Sequence, residues 1–343
     1  MISYRAMRFL RRLVIFLLAM VLLASALLLC WLLWLNRYVV YTRDGAKLDF
    51  SLSLEYAEGV TPQPPKPAPT VDIHYRDEED TENTAKKELV RFSGYYVTLE
   101  ELTGNFDAVS AQLDGLPAGS TILLNLKSLK GDFYYSTALG PTPGNFDVTR
   151  VDELIQELKS KGHYLIARIP AFQDYNFGLN NVPFGLPRVG AGGALWLDRS
   201  GPTACYWLNP ASDGTLTYLI QTISELRGLG FREVVLADFR FPDTDQIDFD
   251  GDKPKTLEST AATLVKTCST DSFCVSFTLE KADLSLPEGR TRLYLENVAA
   301  ADASTMAGKS EFIDPSVHVV FLTESGDTRY EDYCVLRPID TAH

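Results

Sequence analysis

Glu233-Val234-Val235-Leu236-Ala237-Asp238 is an apolar run too short for a helix, opened and closed by carboxylates, and a helically spaced segment over residues 216–229 feeds into it. A strand with no polar alternation is buried on both faces, which is the mark of a parallel sheet covered by helices. The same unit recurs in both directions. Towards the N-terminus, Thr121-Ile122-Leu123-Leu124-Asn125-Leu126 is strand-like, residues 151–158 have helical spacing up to Gly162, and residues 163–170 form a further strand. Before these come a run at residues 92–97 and an amphipathic piece at residues 106–116. Towards the C-terminus lie a helix around residues 257–265, strands at 273–279 and 292–295, a short helix at 302–308, and strands at 317–322 and 333–336. Eight strand-like runs alternating with helices over roughly 250 residues predict an α/β chain of the (β/α)8 TIM-barrel type, with an open doubly wound sheet as the alternative. The link at residues 281–291, which holds Pro287 and is barely long enough for a crossover helix, argues for the alternative.

In such a barrel the chemistry sits where the strands end. The residues closing the runs are largely acidic: after Lys127 come Asp174, Asp238, Glu280, Glu296 and Glu324. Carboxyl groups converging on one mouth are what glycoside hydrolysis requires, one protonating the leaving oxygen while another attacks or activates water. Asp238 is the strongest candidate because Arg240 follows two residues later, and a neighbouring guanidinium favours the ionised form that a nucleophile or oxocarbenium stabiliser needs. Asp238 and Glu280 are the candidate catalytic pair. Lys127, Arg168, Asp174, Trp196, Trp207 and Arg240 are the candidate substrate-binding residues. The aromatic side chains could stack on apolar sugar faces, although packing of the long loop at residues 176–207 on the rim is the plainer role for most.

Other chemistries lack their motifs. The first strand is not followed by Gly-x-Gly-x-x-Gly, no Walker-type Gly-Lys-Ser/Thr loop occurs, and Gly190-Ala191-Gly192-Gly193 reads as flexible backbone within a loop. His74, His163, His318 and His343 are scattered, and the Asp245, Asp248, Asp250, Asp252 series has Ser259 where an EF-hand closes with Glu. No metal or organic cofactor is implied.

Of 343 residues, 45 are acidic and 32 basic, and Arg5, Arg8, Arg11 and Arg12 stand alone in the first 35. The remaining body should be repelled by nucleic acid and by anionic lipid. Residues 13–35 are apolar except for Ser25 and would span roughly 34 Å as a helix, enough for a bilayer core. The expected order is a basic cytoplasmic tail (1–12), a transmembrane anchor (13–35), a spacer (36–90) and the barrel (91–343), which the positive-inside rule places outside the cell membrane. The spacer combines a β-hairpin around Asp44-Gly45, five prolines between Pro62 and Pro69, and an acidic stretch at residues 76–82. Cys268 and Cys274 are close enough in sequence for a disulfide, with unpaired thiols equally compatible.

Three segments carry a family resemblance: Arg168-Ile169-Pro170-Ala171-Phe172-Gln173-Asp174; Trp196-Leu197-Asp198 with Trp207-Leu208-Asn209-Pro210; and residues 230–242. Together they resemble the bacterial putative glycoside hydrolase domain family, which implies a (β/α)8 barrel similar to α-amylase-type enzymes. The Gly-Phe-x-Glu-[Val/Ile] start and Arg-Phe-Pro end of the family pattern match at Gly230 to Val234 and at Arg240 to Pro242. Between them, alignment on Arg240 sets the family's Asp at Ala237 and its Tyr at Asp238, so a local change of backbone would be needed to bring Asp238 to the mouth. By this resemblance Asp238 would stand in the nucleophile position and Glu280 in the acid/base position. The expected partner is a cell-surface or environmental polysaccharide. The alternative is a catalytically silent carbohydrate-binding barrel of the cell envelope, and a third reading is an assembly partner in which anchor and spacer matter more than the barrel.

Overall fold

The computed structural model describes Met20 and residues 39–42, 45–48, 89–201, 203–279, 284–287 and 289–339. The chain divides into two units, Met1–Asp80 and Thr81–His343. In the first, Val39–Thr42 pairs antiparallel with Gly45–Leu48. The proposed anchor at residues 13–35, apart from Met20, and the proline-rich and acidic parts of the spacer lie outside the described residues. Among the described residues no helix is long and apolar enough to cross a membrane.

The second unit is a closed barrel of eight parallel strands: β1 (Ser93–Val97), β2 (Thr121–Asn125), β3 (Tyr164–Pro170), β4 (Glu233–Ala237), β5 (Cys274–Thr278), β6 (Leu293–Glu296), β7 (Val319–Leu322) and β8 (Cys334–Pro338). Each pairs with its sequence neighbour, and β8 returns to β1 with Val335 opposite Ser93 and Pro338 opposite Tyr96. All eight runs read from the sequence are strands of this ring, and the open sheet is excluded. Along β4, Val235 faces the axis with Leu123, Ile166, Tyr294 and Val320, whereas Val234 and Leu236 face the helix layer. Both faces are covered, so every residue of β4 is buried and the run carries no alternation.

The outer layer is made by α1 (Leu99–Gly104), α2 (Phe106–Asp114), α3 (Thr149–Ser160), α4 (Tyr175–Asn180), α5 (Asp213–Leu229), α6 (Lys253–Cys268), α7 (Ala303–Gly308) and α8 (Pro315–His318). The α5 helix stops because Gly230 takes a left-handed conformation, φ 111°, that ends a helix readily only with glycine. The link between β5 and β6 carries no helix among its described residues, and the ring closes all the same. Cys205, Cys268, Cys274 and Cys334 are buried and free, so the Cys268–Cys274 disulfide is not formed. These two thiols end α6 and begin β5, and burial pushes both up to about 11.

At the bottom of the barrel, where the strands begin, Glu233 is fully buried and satisfied on both carboxylate oxygens. Arg292 Nη1 and the Tyr164 hydroxyl donate to Oε2 at 2.5 and 3.0 Å, and the Ser276 and Tyr294 hydroxyls donate to Oε1 at 2.6 and 2.8 Å. Arg292 spends its other nitrogens on the Val317 and Val90 carbonyls and lies over the Phe92 ring at 4.8 Å. Burial and the Glu233 charge push the Tyr164 and Tyr294 hydroxyls well up. Four strands are thereby tied at one point, with no spare valence on the carboxylate for a ligand.

Candidate active site at the barrel mouth

At the opposite end the strand termini enclose a cavity of about 640 Å³, lined among others by Asn125 at the end of β2, Arg168 and Pro170 on β3, and Ala237 and Asp238 at the end of β4. Strand alternation would direct the residue after Ala237 away from the axis. Asp238 escapes this because it leaves the strand with φ 49°, a left-handed backbone rare outside glycine, and so comes to line the cavity. The turn does for Asp238 what a bulge would have done. Its carboxylate is half exposed, and Arg240 Nε stands 4.0 Å from Oδ1.

Arg168 faces the axis from β3. One of its terminal nitrogens donates to Asn125 Oδ1 at 3.3 Å, the other pairs with the Glu296 carboxylate from the end of β6, and its Nε has no hydrogen-bond partner. Glu296 belongs to the acidic set expected at the strand ends. The Tyr96 hydroxyl on β1 is pushed up by burial and then by the charges of Glu324, Glu101 and Glu296. Glu280 lies outside the described residues.

Lys127 and Asp174 form an ion pair at 2.6 Å with both side chains 2% exposed. Asp174 Oδ2 also accepts from the Tyr218 hydroxyl at 2.9 Å, while Oδ1 accepts from the Phe177 backbone N–H at 2.7 Å and caps α4. Gly131 packs so tightly on this carboxylate that any Cβ would overlap Asp174 Oδ1. Lys127 borders the cavity, yet its ammonium is spent on holding the β3–β4 loop to the β2 end. Trp207 is 1% exposed, donates its indole N–H to Asp198 Oδ2 at 2.9 Å, and underlies the Arg240 guanidinium at 5.2 Å. Its ring therefore supports Arg240 from within the core, and Trp196 is likewise packed, half-buried, against the core. The structure thus brings Asp238, Arg240 and Arg168 to accessible positions around the mouth, and it seats Lys127, Asp174 and Trp207 beneath them.

Among the described residues no three His, Cys, Asp or Glu side chains are grouped to hold a metal. Asp252, the last of the acidic series after β4, caps α6 by accepting from the Lys255 backbone N–H at 3.2 Å. Two residues important to the geometry were given no such part by the sequence. Asn125 had no motif around it, and Glu233 was visible only as the acid of a family pattern at the start of an all-apolar strand.

Residues 112–272 match the model of a family described as "Putative glycosyl hydrolase domain", as the three sequence segments implied. No curated protein sequence matches the chain. Solved structures similar to it include a hypothetical protein from Ruminiclostridium thermocellum, 18% identical over 54% of this chain and 96% of that one, with a TM-score of 0.45. The glycoside hydrolase domain of PelA from Pseudomonas aeruginosa is 13% identical over 75% and 97% of the two chains, with a TM-score of 0.46. A GH20 exo-β-N-acetylglucosaminidase from Vibrio harveyi is 11% identical over 68% of this chain and 41% of that one, with a TM-score of 0.47.

Proposed function

We propose that the barrel containing this glycosyl hydrolase family segment is a glycosidase that cleaves a cell-surface or environmental polysaccharide at its mouth. The carrying observation is a half-exposed carboxylate, Asp238, held by an unusual backbone turn on the wall of an open cavity at the C-terminal strand ends. Asp238 acts as nucleophile or oxocarbenium stabiliser and Glu280 as general acid/base. Arg168, on the cavity wall with its terminal nitrogens fixed by Asn125 and Glu296, orients a sugar hydroxyl. Arg240, with Nε 4.0 Å from Asp238 Oδ1, places positive charge beside the reacting carboxylate. A separation of ~5–5.5 Å between the two reacting carboxyl groups would give retention of anomeric configuration, and ~6.5–9.5 Å inversion. The apolar stretch at residues 13–35 anchors the chain in the cell membrane, with the basic tail in the cytoplasm and the barrel outside.

The test is the product profile of the full chain in detergent on a panel of cell-wall and storage polysaccharides, with Asp238→Asn and Glu280→Gln alongside. Cleavage that falls about a thousandfold or more in Asp238→Asn, with folding intact, supports the assignment. Full residual turnover in that variant overturns it, and glycan retention without any cleavage moves the barrel to a binding role.

A further inference from the structure

Beside the bottom of the barrel lies a second concavity, of about 250 Å³, whose walls include Lys159, His163, Arg227 and Arg232 around Gly230. No acidic residue lines it, in a chain of net charge -13. A neighbouring cavity of about 440 Å³ shares Arg232 and Ser272 with it and adds Arg91 and Arg290, with Asp271 as the one acid of that lining. Elsewhere on the surface Lys161, Arg150, Arg329 and Arg337 each hold a carboxylate.

Two of the cations have a structural reason to be here. Lys159 and Arg227 stand in the last turns of α3 and α5, where a positive charge complements unsatisfied helix carbonyls. Arg232 does not, since it occupies the link between α5 and β4, and its guanidinium has no hydrogen bond or ion pair among the described residues. Gly230 shapes the wall. A Cβ there would fall 2.6 and 2.8 Å from Lys159 Cδ and Cε, so glycine is what lets the lysine stem lie across the turn beside the arginines. His163 borders the same space, 5% exposed, with both ring nitrogens lacking a hydrogen-bond partner among the described residues. An unpaired buried imidazole next to converging cations is a cost that an oxyanion with a hydroxyl to share would relieve.

We propose that this cavity binds a phosphoryl oxyanion, either inorganic phosphate or a phosphate monoester. The Arg232 guanidinium supplies the planar fork that matches two phosphate oxygens, and Lys159 and Arg227 add charge around it. The space exceeds that of a bare oxyanion, and the adjoining cavity leaves room for the ester group. The net negative charge of the barrel is thus locally reversed on the face away from the mouth.

Calorimetric titration of the full chain in neutral detergent, once with inorganic phosphate and once with glucose 6-phosphate, tests this. One saturable site is expected, weakened about ten- to a hundredfold in Arg232→Gln and in Lys159→Met, with melting temperature and glycan turnover unchanged. Tighter binding of the ester would assign its sugar to the adjoining cavity, and equal binding would assign the oxyanion alone to the site. Absence of a saturable heat with either probe, or undiminished affinity in both variants, overturns the proposal.

Discussion

The two ends of the barrel handle buried charge in opposite ways. At the bottom, Glu233 meets four donors from β3, β5 and the β6 region and Arg292 is 2% exposed, leaving neither charge available to a ligand. At the mouth, Asp238 is half exposed with its cation 4.0 Å away, and Arg168 keeps one nitrogen unspent. Full satisfaction fixes a structure, whereas partial satisfaction leaves interaction energy available for something that binds. The same strands thus carry stability at one end and, in the proposed function, chemistry at the other.

The largest effect that would break this contrast is at the bottom. Glu233→Ala should cost about 3–5 kcal/mol, because it leaves the Arg292 charge buried and unpaired, and urea denaturation midpoints read the loss directly. A change below about 1 kcal/mol would mean that the bottom network is not what holds the ring. Lys127→Met probes the boundary between the two ends. Its pair with Asp174 sits beneath the mouth but is as buried as the bottom pair, so about 3 kcal/mol of stability should go with little change in KM for the glycan. A raised KM at unchanged stability would return Lys127 to the substrate-binding set.

Alkaline pH tests the buried thiols. Cys268 and Cys274 ionise at about 11 in the folded chain against 9.0 ordinarily, and Cys205 at about 12. The unfolded chain releases these protons first, so their contribution is complete below about pH 9 and is lost as pH climbs through 11. A tenfold change in proton affinity corresponds to about 1.4 kcal/mol, so each thiol accounts for roughly 2–4 kcal/mol. Melting temperatures followed from pH 8 to 11 should fall across that window, and a flat profile would place the thiols in water. The smallest effect has the opposite sign: Asp238→Gly should raise stability by about 0.5 kcal/mol by relieving the left-handed backbone while abolishing turnover.

How much of this was readable in the sequence follows from the range of the interactions. Strands and helices are local, so the eight apolar runs and the α5 stop at Gly230 could be placed from neighbouring residues alone. The strand-end acids were also visible, since a run and its closing residue are adjacent. Whether such a residue faces a ligand depends on partners far away in the chain. Lys127 and Asp174 looked like two polar residues closing two strands, and only folding brings them within 2.6 Å. Trp207 looked like a rim aromatic until the Asp198 carboxylate took its N–H. Glu233 found its partners on β3, β5 and β6, including Arg292 just before β6. Asp238 was legible as a residue but not as a direction, because alternation along β4 points it away from the mouth and a single backbone angle reverses that.

The pairing of β8 with β1 has a consequence in time. Val335 lies beside Ser93, so the first strand of the ring to be synthesised must wait for the last before both its edges are filled. Until β8 arrives, β1 and β7 each present a row of unpaired amides and carbonyls, the kind of exposed border along which chains stick to one another. Barrel closure is therefore an event that follows the synthesis of β8, and a ribosomal stop before Cys334 would yield a sheet with two open margins in place of a ring.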